Sequence, residues 1–188
     1  MTDRIADAPG PHAVRVWDPF VRVFHWSLAV LFTLNIAILD EESRMHEWVG
    51  YAVLGLVAAR ILWGFVGTRH ARFSAFRPSL GAARQHVAEL LGGRAPGKAH
   101  LSHNPLGALM VYNLLACMVA LGVTGWMMTL TAWWGAEWLE EVHEAIANWA
   151  LLSVGFHVAG VAVESWRSKV PLAKAMVTGW KLMPRNRT

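Results

Sequence analysis

Long uninterrupted apolar runs, not alternation, dominate this chain. Val23–Leu39 carries no charge, Trp48–Val66 is broken only by Arg60, and Pro105–Ala136 and Ala145–Val163 carry none. A bilayer core about 30 Å thick is crossed by roughly 20 apolar residues in a helix. The first run reaches that length when Phe20–Arg22 extend it, and the third exceeds it. One such run could be a buried helix of a soluble protein, but four in 188 residues are hard to bury any other way. The pattern predicts an all-α integral membrane four-helix bundle, with spans over about residues 21–39, 46–67, 105–130 and 142–165. They belong to a single membrane domain covering 1–188, with a cytoplasmic loop at 68–104 and a cytoplasmic tail at 167–188.

Charge orients the spans. Fifteen of the 17 Lys and Arg lie before the first span (Arg4, Arg15, Arg22), between the second and third, and in the tail. The other two connections are acidic: Asp40, Glu41 and Glu42 with Arg44 alone among the bases, and Glu137, Glu140 and Glu141 with none. The positive-inside rule then puts both termini in the cytoplasm. Tryptophans at 17, 26, 48, 133, 134, 138, 166 and 180 fall near the expected interfaces, where an amphipathic ring is favoured. Residues 1–20 lack the apolar centre of a signal peptide and are read as a retained cytoplasmic arm. Leu80–Leu91 and Pro171–Met183 are readable as short helices on an anionic leaflet or as plain linkers, and Gly92-Gly93 and Pro96-Gly97 mark a break before the third span.

Composition agrees with a membrane protein. Charged residues are 16%, against about 25% in soluble domains. The net charge of +4 sits in particular loops, which argues against nucleic acid. One cysteine, Cys117, lies mid-run; it permits no internal disulfide, and no Cys-x-x-Cys-His motif exists to attach haem covalently.

Nine histidines carry the chemistry, because an ionisable group within a span is costly and functional by default. His143 and His157 lie 14 residues apart on the fourth span. That is close to four helical turns, so both point to nearly the same face, about 21 Å apart along the axis. His25 opens the first span at the depth of His157, and His46 opens the second at the depth of His143. The expected pairs are His25 with His157 and His46 with His143, each gripping one of two non-covalent b-type haems. Bis-histidine ligation leaves no open position at iron and favours electron transfer. His70 and His103 compete for the inner level but sit among Arg69, Arg72 and Ser102 in a headgroup-like setting. Arg60, the only charge inside a span, is expected either to pair with a propionate of the inner haem or to snorkel to the cytoplasmic surface. Gly50, Gly155 and Gly160 leave room for a porphyrin or for a close helix contact.

The segments RVFHWSLAVLF, MHEWVGYAVLGLVAARILWGF, HNPLGALMVYNLL and VHEAIANWALLSVGFHVAGV resemble the prokaryotic cytochrome b561 family, related to the b-type cytochrome subunits of nickel–iron hydrogenases and formate dehydrogenases. The resemblance covers about residues 14–184. It implies a four-helix bundle in a bacterial inner membrane, two haems b on His25, His46, His143 and His157, and electron exchange with a quinone pool. It further implies a c-type cytochrome or a dehydrogenase subunit as partner; a homodimer stays open.

The leading expectation is therefore a dihaem carrier between a quinone such as ubiquinone and a periplasmic partner, with His70, Arg72 and His103 as candidate quinone contacts. A second is a superoxide:ubiquinone oxidoreductase, which would want a basic outer funnel where this chain has acidic loops. A third is a haem-containing anchor for a dehydrogenase.

Overall fold

Most helices begin where the sequence supplies a cap. In the computed structural model, which describes residues 12–92 and 104–183, α1 (Pro19–Ala37) starts on Asp18, whose carboxylate accepts from the Val21 amide at 2.9 Å, with Pro19 in the first turn. Ser43 likewise caps α2 (Arg44–Val66) through the His46 amide, and Ser79 caps α3 (Leu80–Leu91). Asn104 accepts from Gly107 at 2.7 Å to start α4 (Pro105–Met128), again followed by proline. Only α5 (Glu137–Ser168), of these five, and the short α6 (Leu172–Thr178) lack a side-chain cap. In α5, Glu137 and Glu140 in the first turn and Arg167 in the last complement the helix dipole.

Four of these helices, α1, α2, α4 and α5, are long and apolar enough to cross a membrane. Only 11–22% of each apolar window is buried, so the bundle turns most of its surface to lipid. Two ends differ from the apolar runs for local reasons. The third run continues to Ala136, but α4 stops at Met128, where the Thr129 hydroxyl turns back onto the Trp126 carbonyl and a chain of turns leads to Gly135 at φ +71. Conversely, α5 is 32 residues long because the glutamates and Arg167 flanking its apolar stretch are good helix formers.

Packing is uneven. α1 lies on α2, while α4 packs against α2 on one side and α5 on the other. The core is built from Phe24, Val53, Val57, Cys117, Met118 and Ala150. Cys117 is buried there as a small apolar side chain. α5 runs closely along α4 but makes no comparable run of contact with α1 or α2.

The basic end of the bundle is closed by a cap that the apolar pattern does not announce. Strand β1 (His12–Arg15) pairs antiparallel with β2 (Trp180–Met183), Ala13 facing Leu182 and Arg15 facing Trp180. Part of the arm and part of the tail are thus one sheet, and Pro171–Met183 is neither a single interfacial helix nor a linker. Gly179, at φ +86, ends α6, and its carbonyl accepts from the Val16 and Trp17 amides; a side chain there would collide with the Trp17 carbonyl. Val16, Trp17, Val21, Ala71 and Ala175 form the small core beneath. Asp18 also accepts from the Trp63 indole at 3.1 Å and the Thr68 hydroxyl at 2.6 Å, locking the start of α1 to the end of α2. Burial pushes its carboxyl up, but those bonds, the Val21 amide and the Arg60 charge outweigh it and hold Asp18 below the ordinary carboxylate value. The first eleven residues of the expected arm, residues 93–103 of the loop with its break at Gly93 and Pro96-Gly97, and residues 184–188 of the tail lie outside the described residues.

Candidate functional site

The imidazoles meet in two pairs. His25, in the second turn of α1, faces His157 on α5 with ring centroids 6.2 Å apart. His46, in the first turn of α2, faces His143 on α5 at 6.4 Å. All four rings are partly buried. Both α5 histidines share one face because they are spaced by 14 residues, which also sets the two pairs about 21 Å apart in depth.

The separation within each pair has a chemical meaning. A metal–imidazole bond of about 2 Å, plus about 1 Å from nitrogen to ring centre, puts two rings on one iron roughly 6 Å apart. Imidazoles in direct hydrogen bond or stacked contact would come closer. The helices agree: α5 stands off from α1 and α2 although their histidines face each other, as a flat macrocycle between them requires. Among the described residues no three His, Cys, Asp or Glu gather around one point. Two protein ligands per centre is the number a porphyrin leaves, since its own nitrogens fill the other four positions. The residues present fit haem.

The ring nitrogens differ in their support. His143 Nδ1 lies 2.7 Å from the Thr124 hydroxyl on α4, and Gly125 beside it lets the ring approach, its missing Cβ falling 3.4 Å from His143 Cε1. The Nδ1 atoms of His25 and His46 are buried without a hydrogen-bond partner. Near His46, Asn35 donates to the His46 carbonyl at 3.2 Å, holding α1 to the first turn of α2. Trp26 sets its plane edge-on to His25, with centroids 5.2 Å apart.

Arg60 is buried, with 4% of its surface exposed. Its Nη2 donates to the Ala71 carbonyl at 3.1 Å and its guanidinium lies 5.2 Å from the Phe73 ring centre, so it pins the loop after α2. Nη1 is buried and unpaired. Arg22 shows the same pattern, one arm donating to the Val177 carbonyl and Nε buried without a partner. Of the expected quinone contacts, Arg72 donates to the Gly67 carbonyl at 2.7 Å and His70 is partly buried in the same turn, while His103 lies outside the described residues. Of the three glycines, a Cβ on Gly155 or Gly160 would meet nothing within 4 Å, and one on Gly50 only the Asn35 amide at 3.9 Å; none is a tight helix crossing.

A family model for prokaryotic cytochrome b561 matches residues 16–179. The chain belongs to the prokaryotic cytochrome b561 family. A relative from Bradyrhizobium diazoefficiens, described as a probable Ni/Fe-hydrogenase B-type cytochrome subunit, is 26% identical over 225 aligned positions covering 93% of this chain and 90% of its own length. No solved structure matches. The cytochrome is accordingly a multi-pass bacterial membrane protein that uses b-type haem in electron transport.

Thr124, Asn35 and Arg22 were not singled out by the sequence. A signal for the first two was present: each is one of the few polar side chains in an apolar run, at the depth of the outer histidines.

Proposed function

We propose that this cytochrome holds two haems b, one between His25 and His157 toward the basic, cytoplasmic end and one between His46 and His143 toward the acidic, periplasmic end, and relays electrons between them. The observation that carries the reading is the pairing itself: four imidazoles from three helices meet two by two at 6.2 and 6.4 Å, at two depths of one bundle. Haem supplies reversible one-electron chemistry. The polypeptide would hold one haem between His25 and His157 and the other between His46 and His143, and it supplies an apolar bundle that excludes water.

The unpaired Nη1 of Arg60 and Nε of Arg22 are donors toward the cytoplasmic level, suited to propionates. Electrons exchange there with a quinone such as ubiquinone, near His70 and Arg72. At the opposite end the partner is a dehydrogenase of the hydrogenase type, in keeping with the Bradyrhizobium relative, or a c-type cytochrome; its docking face carries Glu137, Glu140, Glu141 and Glu144, all exposed. The same acidic face repels superoxide and disfavours oxidation of that anion as the function.

A pyridine haemochrome assay on purified protein tests this. The expected content is two haems b per chain, and one after His25→Ala or His143→Ala. A wild-type value of zero or one overturns the reading.

A further inference from the structure

One of the four paired imidazoles has a side-chain partner of its own. Thr124 is buried in α4, and its Oγ1 lies 2.8 Å from the Ala120 carbonyl, 3.2 Å from that of Leu121 and 2.7 Å from His143 Nδ1. A hydroxyl has a single proton, and the Ala120 carbonyl one turn back takes it, as threonines inside helices commonly arrange. A lone pair is then left facing the ring, so Nδ1 carries the hydrogen and donates. That fixes the tautomer: Nε2 keeps its lone pair. The Nδ1 atoms of His25 and His46 have no such acceptor.

We propose that Thr124 is a positioning residue for the haem at the His46–His143 level: its hydroxyl orients the His143 ring, commits Nε2 to the metal, and lowers that haem's reduction potential. The proposal rests on the haem assignment above. The sign follows from basicity. A ring that donates through Nδ1–H is a stronger donor through its other nitrogen, and a stronger donor favours the more highly charged ferric state. The consequence is an asymmetry between the two levels that is written into α4, a helix that contributes no paired histidine.

The test uses the purified full-length cytochrome, with Thr124→Val to remove the hydroxyl at constant volume and Thr124→Ser to keep it. Haem content, potentiometric midpoints and the ferric electron paramagnetic resonance signals are read on each. Thr124→Val is expected to keep two haems and raise one midpoint, leaving the other in place. The reduced-to-oxidised ratio of the affected haem at fixed potential should shift about tenfold, ~59 mV for one electron. Its low-spin signal should shift as well, and Thr124→Ser should match wild type. Unchanged midpoints in a two-haem Thr124→Val protein overturn the proposal, as does a Ser variant that behaves like Val. Should Val expel one haem, retention of both by Ser supports the positioning role, and loss by Ser overturns it. A His143→Ala protein that still binds two haems would instead sink the underlying assignment, whatever the midpoints do.

Discussion

The Trp63 indole donates to the Asp18 carboxylate at 3.1 Å and so ties the last turn of α2 to the residue that starts α1. The same carboxylate serves the Val21 amide and the Thr68 hydroxyl, three donors from three parts of the basic end. Asp18→Ala removes a helix cap and leaves the partly buried Trp63 indole without its acceptor, a loss of roughly 2 kcal/mol. A lowered midpoint of thermal unfolding in detergent, with Asp18→Asn falling between it and wild type, checks this.

Because Asp18 titrates below its ordinary value of 3.8, the folded state binds fewer protons than the unfolded one as that range is approached. Its stabilisation is complete above the unfolded value and disappears as pH falls through the lower folded value. Stability of wild type should therefore decline with acid below about pH 5, and Asp18→Asn should flatten the part of the slope due to this group. Unfolding curves between neutral pH and about pH 3 measure it.

Gly64 sits under the Phe73 ring, and a Cβ on it would overlap that ring. Gly64→Ala should push Phe73 away from Arg60 and loosen the loop after α2, at about 1–3 kcal/mol of overpacking. Limited proteolysis should then cut around residues 67–78 more readily than in wild type.

Between α4 and α5, Trp149 donates to Asn113 at 3.1 Å and Asn113 donates to the buried Ser153 hydroxyl at 2.9 Å. Asn113→Leu leaves both outer members unpaired within the span, a loss of about 1 kcal/mol. Asn113→Leu and Ser153→Ala should be less than additive in a double-mutant cycle of detergent unfolding.

Histidine losses should follow the pairs. His25→Ala with His157→Ala should cost no more haem than either alone, whereas His25→Ala with His143→Ala should empty the protein. Haemochrome content of the four singles and two doubles decides it.

The spans and the histidine pairs could be read from the sequence because both depend on periodicity within a helix. Four apolar runs, interrupted by a single charge at Arg60, give the spans, and the 14-residue interval on α5 puts His143 and His157 on one face whatever the rest does. What escaped depends on contacts between distant segments. Nothing local in His12–Arg15 or Trp180–Met183 marks two four-residue strands as partners, since each is too short to show alternation. Thr124 is one hydroxyl in an apolar helix, and its role appears only when α4 lies beside α5. Arg60 was conspicuous as a charge, yet its carbonyl and ring partners come from a loop whose path the apolar pattern does not specify.

The pairing of β1 with β2 joins the earliest described segment to leave the ribosome with the latest. A nascent polypeptide still missing β2 already owns the four described spans and the four paired imidazoles, but β1 does not yet have its partner strand. The β1–β2 pairing can therefore close the basic end only after the four described spans and the four paired imidazoles have been synthesised.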